Sequence, residues 1–201
     1  EFRRVLFRSI YRDMQQFSKL KPKTDFTPDK DDVVYDGGHL SVINYEDWSI
    51  VKEPDFVVCI IYLIEENQFI LRHEFIPSFE FKDGQEYHMT VLSGTMKQGE
   101  TPDRTLLREI EEEAGIVIRP DFKIEFMKPL FISKAHASKY HPALITLTER
   151  DYHEVVAPTD GSRAEKLSRT VKLDKKYINS VNASDLITEF MLLKFKEYLN
   201  M

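Results

Sequence analysis

The chain has 201 residues, 42% of them hydrophobic and 12% aromatic, with a formal net charge of -6. That length allows one sizeable mixed domain rather than two, and the apolar content argues against a disordered chain. The negative balance argues against a long, nonspecific nucleic-acid ligand, and the single cysteine, Cys59, excludes an intrachain disulfide and points to a reducing, cytoplasmic setting.

The opening EFRRVLFRSIYRD has no initiator methionine, and the first methionine is Met14. Residues 1–13 therefore read as a non-native leader, with translation starting at Met14 and no apolar run of signal-peptide or membrane-spanning length. Residues 14–32 are a polar lead-in carrying Pro22 and Pro28, and residues 33–201 are expected to form one domain. VVYD, the pair Gly37-Gly38 and HLSVINY read as a hairpin. WSIVKE adds a third strand, making 33–54 an antiparallel β meander. DFVVCIIYLI, the turn EEN and QFILRHEFI read as a second hairpin whose apolar first strand suits the centre of a sheet. FEFKDGQE reads as a polar loop, and YHMTVLS leads into SGTMKQGETPDRTLLREIEEEAGI at 93–116. Residues 122–132, ALITLTE at 143–149 and SRTVKL at 168–173 read as further strands. Ser184 is the expected cap of a closing helix in which Leu186, Ile187, Phe190, Leu193 and Leu199 recur at helical spacing.

Within 93–116, Thr101 is a fair N-cap, Pro102 suits the first helical position and Gly115 is a left-handed stop, which predicts a helix over 102–114. Leu106, Leu107, Ile110 and Ala114 share its apolar face, and Glu109, Glu112 and Glu113 converge on another. Glu111, Glu112 and Glu113 oppose the helix dipole and repel one another, so something cationic must offset them. Hard carboxylate oxygens suit Mg2+, with Mn2+ as the alternative. A glutamate-rich helix is by itself usually a solvated face. The register with Gly94, Glu100 and Gly115 overrides that reading.

Gly94, Glu100, Arg108, Glu109, Glu112, Glu113 and Gly115, with Ile110 and Ile116 at apolar positions, spell G-x5-E-x7-R-E-U-x-E-E-x-G-U. The pattern resembles the signature box of the Nudix hydrolases at every specified position, a coincidence expected on the order of once in 10^8 start positions. The resemblance implies an α/β/α sandwich of α+β type with a mixed central sheet, preceded here by the meander. The layout from about 33 to 200 is similar to the ADP-ribose pyrophosphatase-like branch. It implies hydrolysis of the diphosphate bond in a nucleoside diphosphate linked to another group (ADP-ribose, a nucleotide sugar or a dinucleotide), releasing a nucleoside monophosphate and a phosphorylated product with Mg2+ or Mn2+ as cofactor. By the same resemblance Glu109 and Glu113 are the principal metal ligands, Glu112 is a third ligand or the base that orients water, and the carbonyl of Ser93 completes the shell. Arg108 pairs with Glu112 four residues on and orients it, while Gly94, Glu100 and Gly115 shape the box.

Outside the box, HEFIP at 73–77 and TVLSG at 90–94 resemble two segments of that branch, with Glu74, Ile76, Thr90 and Leu92 departing from its usual residues. Ile76 and Thr90 lack the charged groups that would hold a terminal ribose or phosphate, so ADP-ribose is expected to be accepted without strong preference. A general base is expected from a late loop, among Glu149, Asp151, Glu154, Asp160 and Glu165, and Glu165 is chosen because it directly precedes a strand. Substrate contacts are expected from Glu74 and from Lys134, His136 and Lys139 in SKAHASKYHP, a loop placed to cover the diphosphate. Trp48, Phe56 and Phe75 are open between base stacking and core. The competing readings are a nucleoside triphosphate or dinucleoside polyphosphate hydrolase, a noncatalytic ligand sensor, and an isoprenoid diphosphate isomerase, which the intact box disfavours. The expected partners are a small nucleotide, no long nucleic acid, no membrane, and a second copy of the chain across the strand edges of the meander.

Overall fold

A computed structural model describes residues 33–45, 47–84, 87–158 and 166–200. The expected leader, its Met14 start, the lead-in at 14–32, Asp160 and Glu165 lie outside the described residues.

Strands β1 (Val33–Asp36), β2 (Ser41–Tyr45) and β3 (Trp48–Lys52) form the antiparallel meander. In its first turn the Asp36 carboxylate accepts the Gly38 N–H at 3.1 Å, and Gly38 takes a φ of 83° that a side chain would resist. The main sheet contains β4 (Phe56–Leu63), β5 (Gln68–Phe75), β6 (Tyr87–Thr90), β7 (Leu92–Thr95), β9 (Leu130–Phe131), β10 (Lys139–Leu147) and β12 (Arg169–Asp174). It is mixed, because β10 runs parallel to β4 while the remaining pairs are antiparallel. Between these, β8 (Ile116–Ile118) and β11 (Tyr152–Glu154) make a separate ribbon.

The β4 sequence FVVCIIYL shows no polar alternation because both of its faces are covered. Val57, Cys59, Ile61 and Leu63 pack with Leu106 and Ile110 of the box helix, α2 (Pro102–Ala114). Val58, Ile60 and Tyr62 pack on the other side with Met191, Leu192 and Phe195 of α3 (Leu186–Leu199). Each fully buried branched or aromatic side chain contributes about 1.5–3 kcal/mol. This two-sided burial is the sandwich expected from the sequence. β4 pairs with β5 only over Ile61–Leu63 and with β7 over Phe56–Cys59, while β5 pairs with β6 over Arg72–Phe75. The parting of β4 and β5 thus seats Ser93 and Gly94 inside the sheet, against the box helix.

Four local expectations are corrected. FEFKDGQE is not simply a loop: α1 (Pro77–Asp83) forms, with Pro77 in its first turn and Gly84 as a left-handed C-cap at φ 70°. Residues 122–132 supply only β9 and one bridge, Phe126 to Ala143, because Phe122, Ile124 and Phe126 pack on the core without a strand partner along their length. β10 starts at Lys139 rather than 143, since β4 reaches back far enough for Phe56 to pair Tyr140. Asp185 caps α3, accepting the Thr188 N–H at 2.8 Å, and Ser184 instead bonds the His88 ring at 2.6 Å. The 133–138 loop docks on the meander: Val51 N–H donates to Ala135 O at 2.8 Å and Ala137 N–H to Val51 O at 2.9 Å. Among the described residues no helix is long and apolar enough to cross a membrane.

Candidate active site

Thr101 caps the box helix loosely, accepting the Arg104 N–H at 3.5 Å, and Gly115 ends it at φ 63° with its N–H on Glu111 O at 3.0 Å. Gly94 is needed for a different reason. A Cβ there would overlap the carboxyl group of Glu109, so only a bare backbone lets that carboxylate lie against β7. The Glu109 and Glu113 side chains are 14% and 13% exposed, while Glu112 reaches 38%.

Arg108 gathers the box into one network. Its Nη1 donates to Glu109 at 2.6 Å and to Glu112 at 3.0 Å; its Nη2 donates to Glu100 at 3.0 Å and to Thr95 O at 3.2 Å. Glu100 also accepts the Lys97 N–H at 3.1 Å and the Thr105 hydroxyl at 2.9 Å. The Arg108 bond, followed by the Lys97 bond, holds the Glu100 carboxyl down to about 2. The expected Arg108–Glu112 pair is therefore present, and it is part of a larger clamp. Glu109 moves the other way, because burial outweighs the attraction of Arg108. Glu113 is pushed up to about 8, first by burial, against the pull of Arg72 and with added repulsion from Glu74 and Glu109.

Arg72 is the site residue that sequence reasoning missed. It lies on β5 in register with Thr90 and Thr170, is 6% exposed, and sets its Nε 3.5 Å from Glu113 Oε1. The clue was an arginine inside QFILRHEF on the same strand face as Ile70, a residue packed with the box helix.

Glu74 joins the site. Its carboxylate accepts the Thr90 hydroxyl at 2.8 Å and is close enough to bear on Glu113. Thr90 brings no charge of its own but holds the Glu74 carboxylate in that corner. The 133–142 segment is set elsewhere by its docking on β3. His136 bonds Ser133 at 2.7 Å and sits 3.8 Å from Glu53, and Lys139 lies over the Phe131 ring at 5.0 Å. Neither His136 nor Lys139 is hydrogen-bonded or ion-paired to a box glutamate, and the Lys134 ammonium has no such partner among the described residues. Of the other late-loop acids, Asp151 is engaged with Thr148 and Arg119, and Glu154 with Lys172. Phe56 packs on Tyr140 and Phe75 on Tyr87, whereas Trp48 is exposed.

Two clefts adjoin the box, the first reaching Glu112 and Glu113 and the second, among the box glutamates, only Glu100. One of about 240 Å³ is lined by Arg72, Glu112, Glu113, Ser168, Arg169 and Thr170. The other, of about 600 Å³, lies between the first meander turn and the box loop, with His39, Lys52 and Lys97 on its walls. The convergence of Glu109, Glu112 and Glu113 is looser than expected. Among the described residues no three acidic, histidine or cysteine side chains are drawn together as metal ligands; Arg108 engages Glu109 and Glu112, and Arg72 engages Glu113. The donor set nonetheless fits a hard divalent cation: it is all carboxylate oxygen, and burial, with lesser repulsion from neighbouring glutamates, raises Glu109 and Glu113 despite the two arginines.

A family model described as the NUDIX domain matches residues 54–173. The crystal structure of an ADP compounds hydrolase is similar with a TM-score of 0.61 at 15% identity, over 84% of this chain and 90% of that one. A MutT structure, from work on the fish pathogen Aliivibrio salmonicida and on Vibrio cholerae, has a TM-score of 0.46 at 13% identity, over 70% of this chain and 97% of that one. No curated protein matches the sequence.

Proposed function

The chain belongs to the NUDIX domain family and is a Nudix hydrolase, and from that premise we propose that it hydrolyses the diphosphate bond of a nucleoside diphosphate linked to a sugar or a second nucleotide. The products are a nucleoside monophosphate and a phosphorylated remainder. The observation that carries this reading is the glycine-backed carboxylate face, with Glu109 fitted against Gly94, Glu113 buried beside it and Glu112 at its open edge.

Glu109, Glu112 and Glu113, with the Ser93 carbonyl, would hold Mg2+ or Mn2+, which offsets charge on phosphoryl oxygens and lowers the pKa of a bound water. The protein's own contribution is to keep these groups in place. Arg108 locks Glu109 and Glu112 to the box loop through Glu100, so the carboxylates do not have to be ordered when substrate arrives. Glu165 is our choice of general base. It comes just before the β12 stretch in sequence, and Ser168 at the head of that stretch lines the same cleft as Glu112 and Glu113. Glu74 faces the substrate beside Glu113. Lys134, His136 and Lys139 form a basic rim for the outer part of the nucleotide, with Lys134 the most available of the three. The exposed strand β1, with Val34 and Tyr35 at its surface, supports a homodimer through the meander. The enzyme works in the cytoplasm.

The test is kcat/KM across ADP-ribose, nucleotide sugars, dinucleoside polyphosphates, NADH and nucleoside triphosphates, with Mg2+ and with Mn2+. The diphosphate-linked compounds should lead, with ADP-ribose accepted but not foremost. A preference for nucleoside triphosphates over all of them would reject this substrate class.

A further inference from the structure

The last turn of the box helix carries Glu111, Glu112 and Glu113 and no basic residue, so its carboxylates and terminal carbonyls lack positive charge from within the helix. Arg72 brings it from β5. Its Nη1 donates to the Glu113 carbonyl at 3.2 Å, and its Nε faces the Glu113 carboxylate at 3.5 Å, so one guanidinium engages both the main chain and the side chain of the same residue. The Thr170 hydroxyl donates to that carbonyl and accepts from Arg72 Nη1 at 3.4 Å. From the other side, the Ser93 N–H donates to Glu113 Oε2 at 3.3 Å. The carboxylate is thereby held between β5 and β7, two strands far from the helix in sequence.

Stability is a poor account of this arrangement. Arg72 Nε is buried with no hydrogen bond, and a buried ion pair of loose geometry is often no better than apolar packing. We propose that Arg72 is a positioning residue: it fixes the backbone and the carboxylate of Glu113, so that this group is aimed before a divalent cation binds. The proposal rests on the reading of Glu113 as a metal ligand.

Two variants and a control test it. Arg72→Met keeps the length of the side chain and removes charge and donors; Arg72→Lys keeps the charge but not the planar fork. Mn2+ affinity is measured by calorimetry without substrate, alongside melting temperature, kcat and KM. Arg72→Met should weaken Mn2+ binding by about 10–100-fold, the usual effect of removing a group that orients a ligand, with nucleotide KM moving less than about threefold. Arg72→Lys should keep a melting temperature near that of the wild type while recovering only part of the Mn2+ affinity. Wild-type Mn2+ binding by folded Arg72→Met would reduce Arg72 to a structural role, and a rise in KM alone would make it a substrate contact; either overturns the proposal. If Arg72→Met does not fold, wild-type Mn2+ affinity in Arg72→Lys overturns it. Glu113→Gln separates the two readings: if it also binds Mn2+ normally, Glu113 is not a ligand and the premise itself fails.

Discussion

The two arginines that face the box glutamates are built in opposite ways. Arg108 sits on the box helix and closes a local circuit with Glu100, Glu109 and Glu112. Arg72 reaches Glu113 from a strand, almost fully buried and with its buried Nε making no hydrogen bond. A local circuit is written in spacing along the chain, whereas the Arg72 contact exists only because β5, β6, β7 and β12 place their residues around one helix end. Part of the first can be read from sequence and the second cannot.

The strongest way to break this picture is to remove a carboxylate. Glu113→Gln and Glu109→Gln should each lower kcat by several orders of magnitude while far-ultraviolet circular dichroism stays that of the wild type. Near-wild-type turnover in both would end the assignment of the box as the catalytic centre. Gly94→Ala probes the close approach on the local side. Its methyl group would push Glu109 off β7, with an expected loss of about 100-fold in kcat from displacement of a single group. A fully active Gly94→Ala enzyme would mean that Glu109 works from another position.

The long-range side is probed by acidity in metal-free protein. The Glu113 carboxyl has an ordinary value of 4.5 and is held at about 8 in the fold, chiefly by burial. Below 4.5 it is neutral in folded and unfolded chains alike; as pH rises toward 8 the unfolded chain loses the proton first, so stability falls across that window, by at most a few kcal/mol. Glu113→Gln should flatten this slope in urea titrations from pH 5 to 8 and raise the metal-free melting temperature near pH 8. An unchanged slope would mean that Arg72 already satisfies the buried charge. The smallest expected effect is at the rim: Lys134→Ala should raise nucleotide KM a few-fold at constant kcat, and no change in KM would remove Lys134 from the substrate site.

Much of the fold was legible because its pieces follow local rules. The meander turn at Gly37-Gly38, the two-faced apolar β4 and the span Pro102–Ala114 all rest on residues close in sequence. Losses came where a distant partner decides. Lys139 and Tyr140 become strand because β4 offers edge at Phe56, and the 133–138 loop is held where β3 captures it. In the site, the Arg108–Glu112 pair was legible from its four-residue spacing, whereas the link of Arg108 to Glu100 was not. Arg72 was not either, and although Glu74 was expected at the substrate, its pairing with Thr90 was not, because it lies in a hydrogen bond between neighbouring strands.

In this reading the box carboxylates are a cation site kept ready by two arginines. Its most direct test is anomalous diffraction at the manganese edge from crystals grown with Mn2+ and a nonhydrolysable nucleoside diphosphate sugar. Manganese should be bound by Glu109, Glu112 and Glu113, with the diphosphate against it and Arg72 still bonded to the Glu113 carbonyl. Bound nucleotide without manganese at these glutamates, their carboxylates still paired with Arg72 and Arg108, would contradict it.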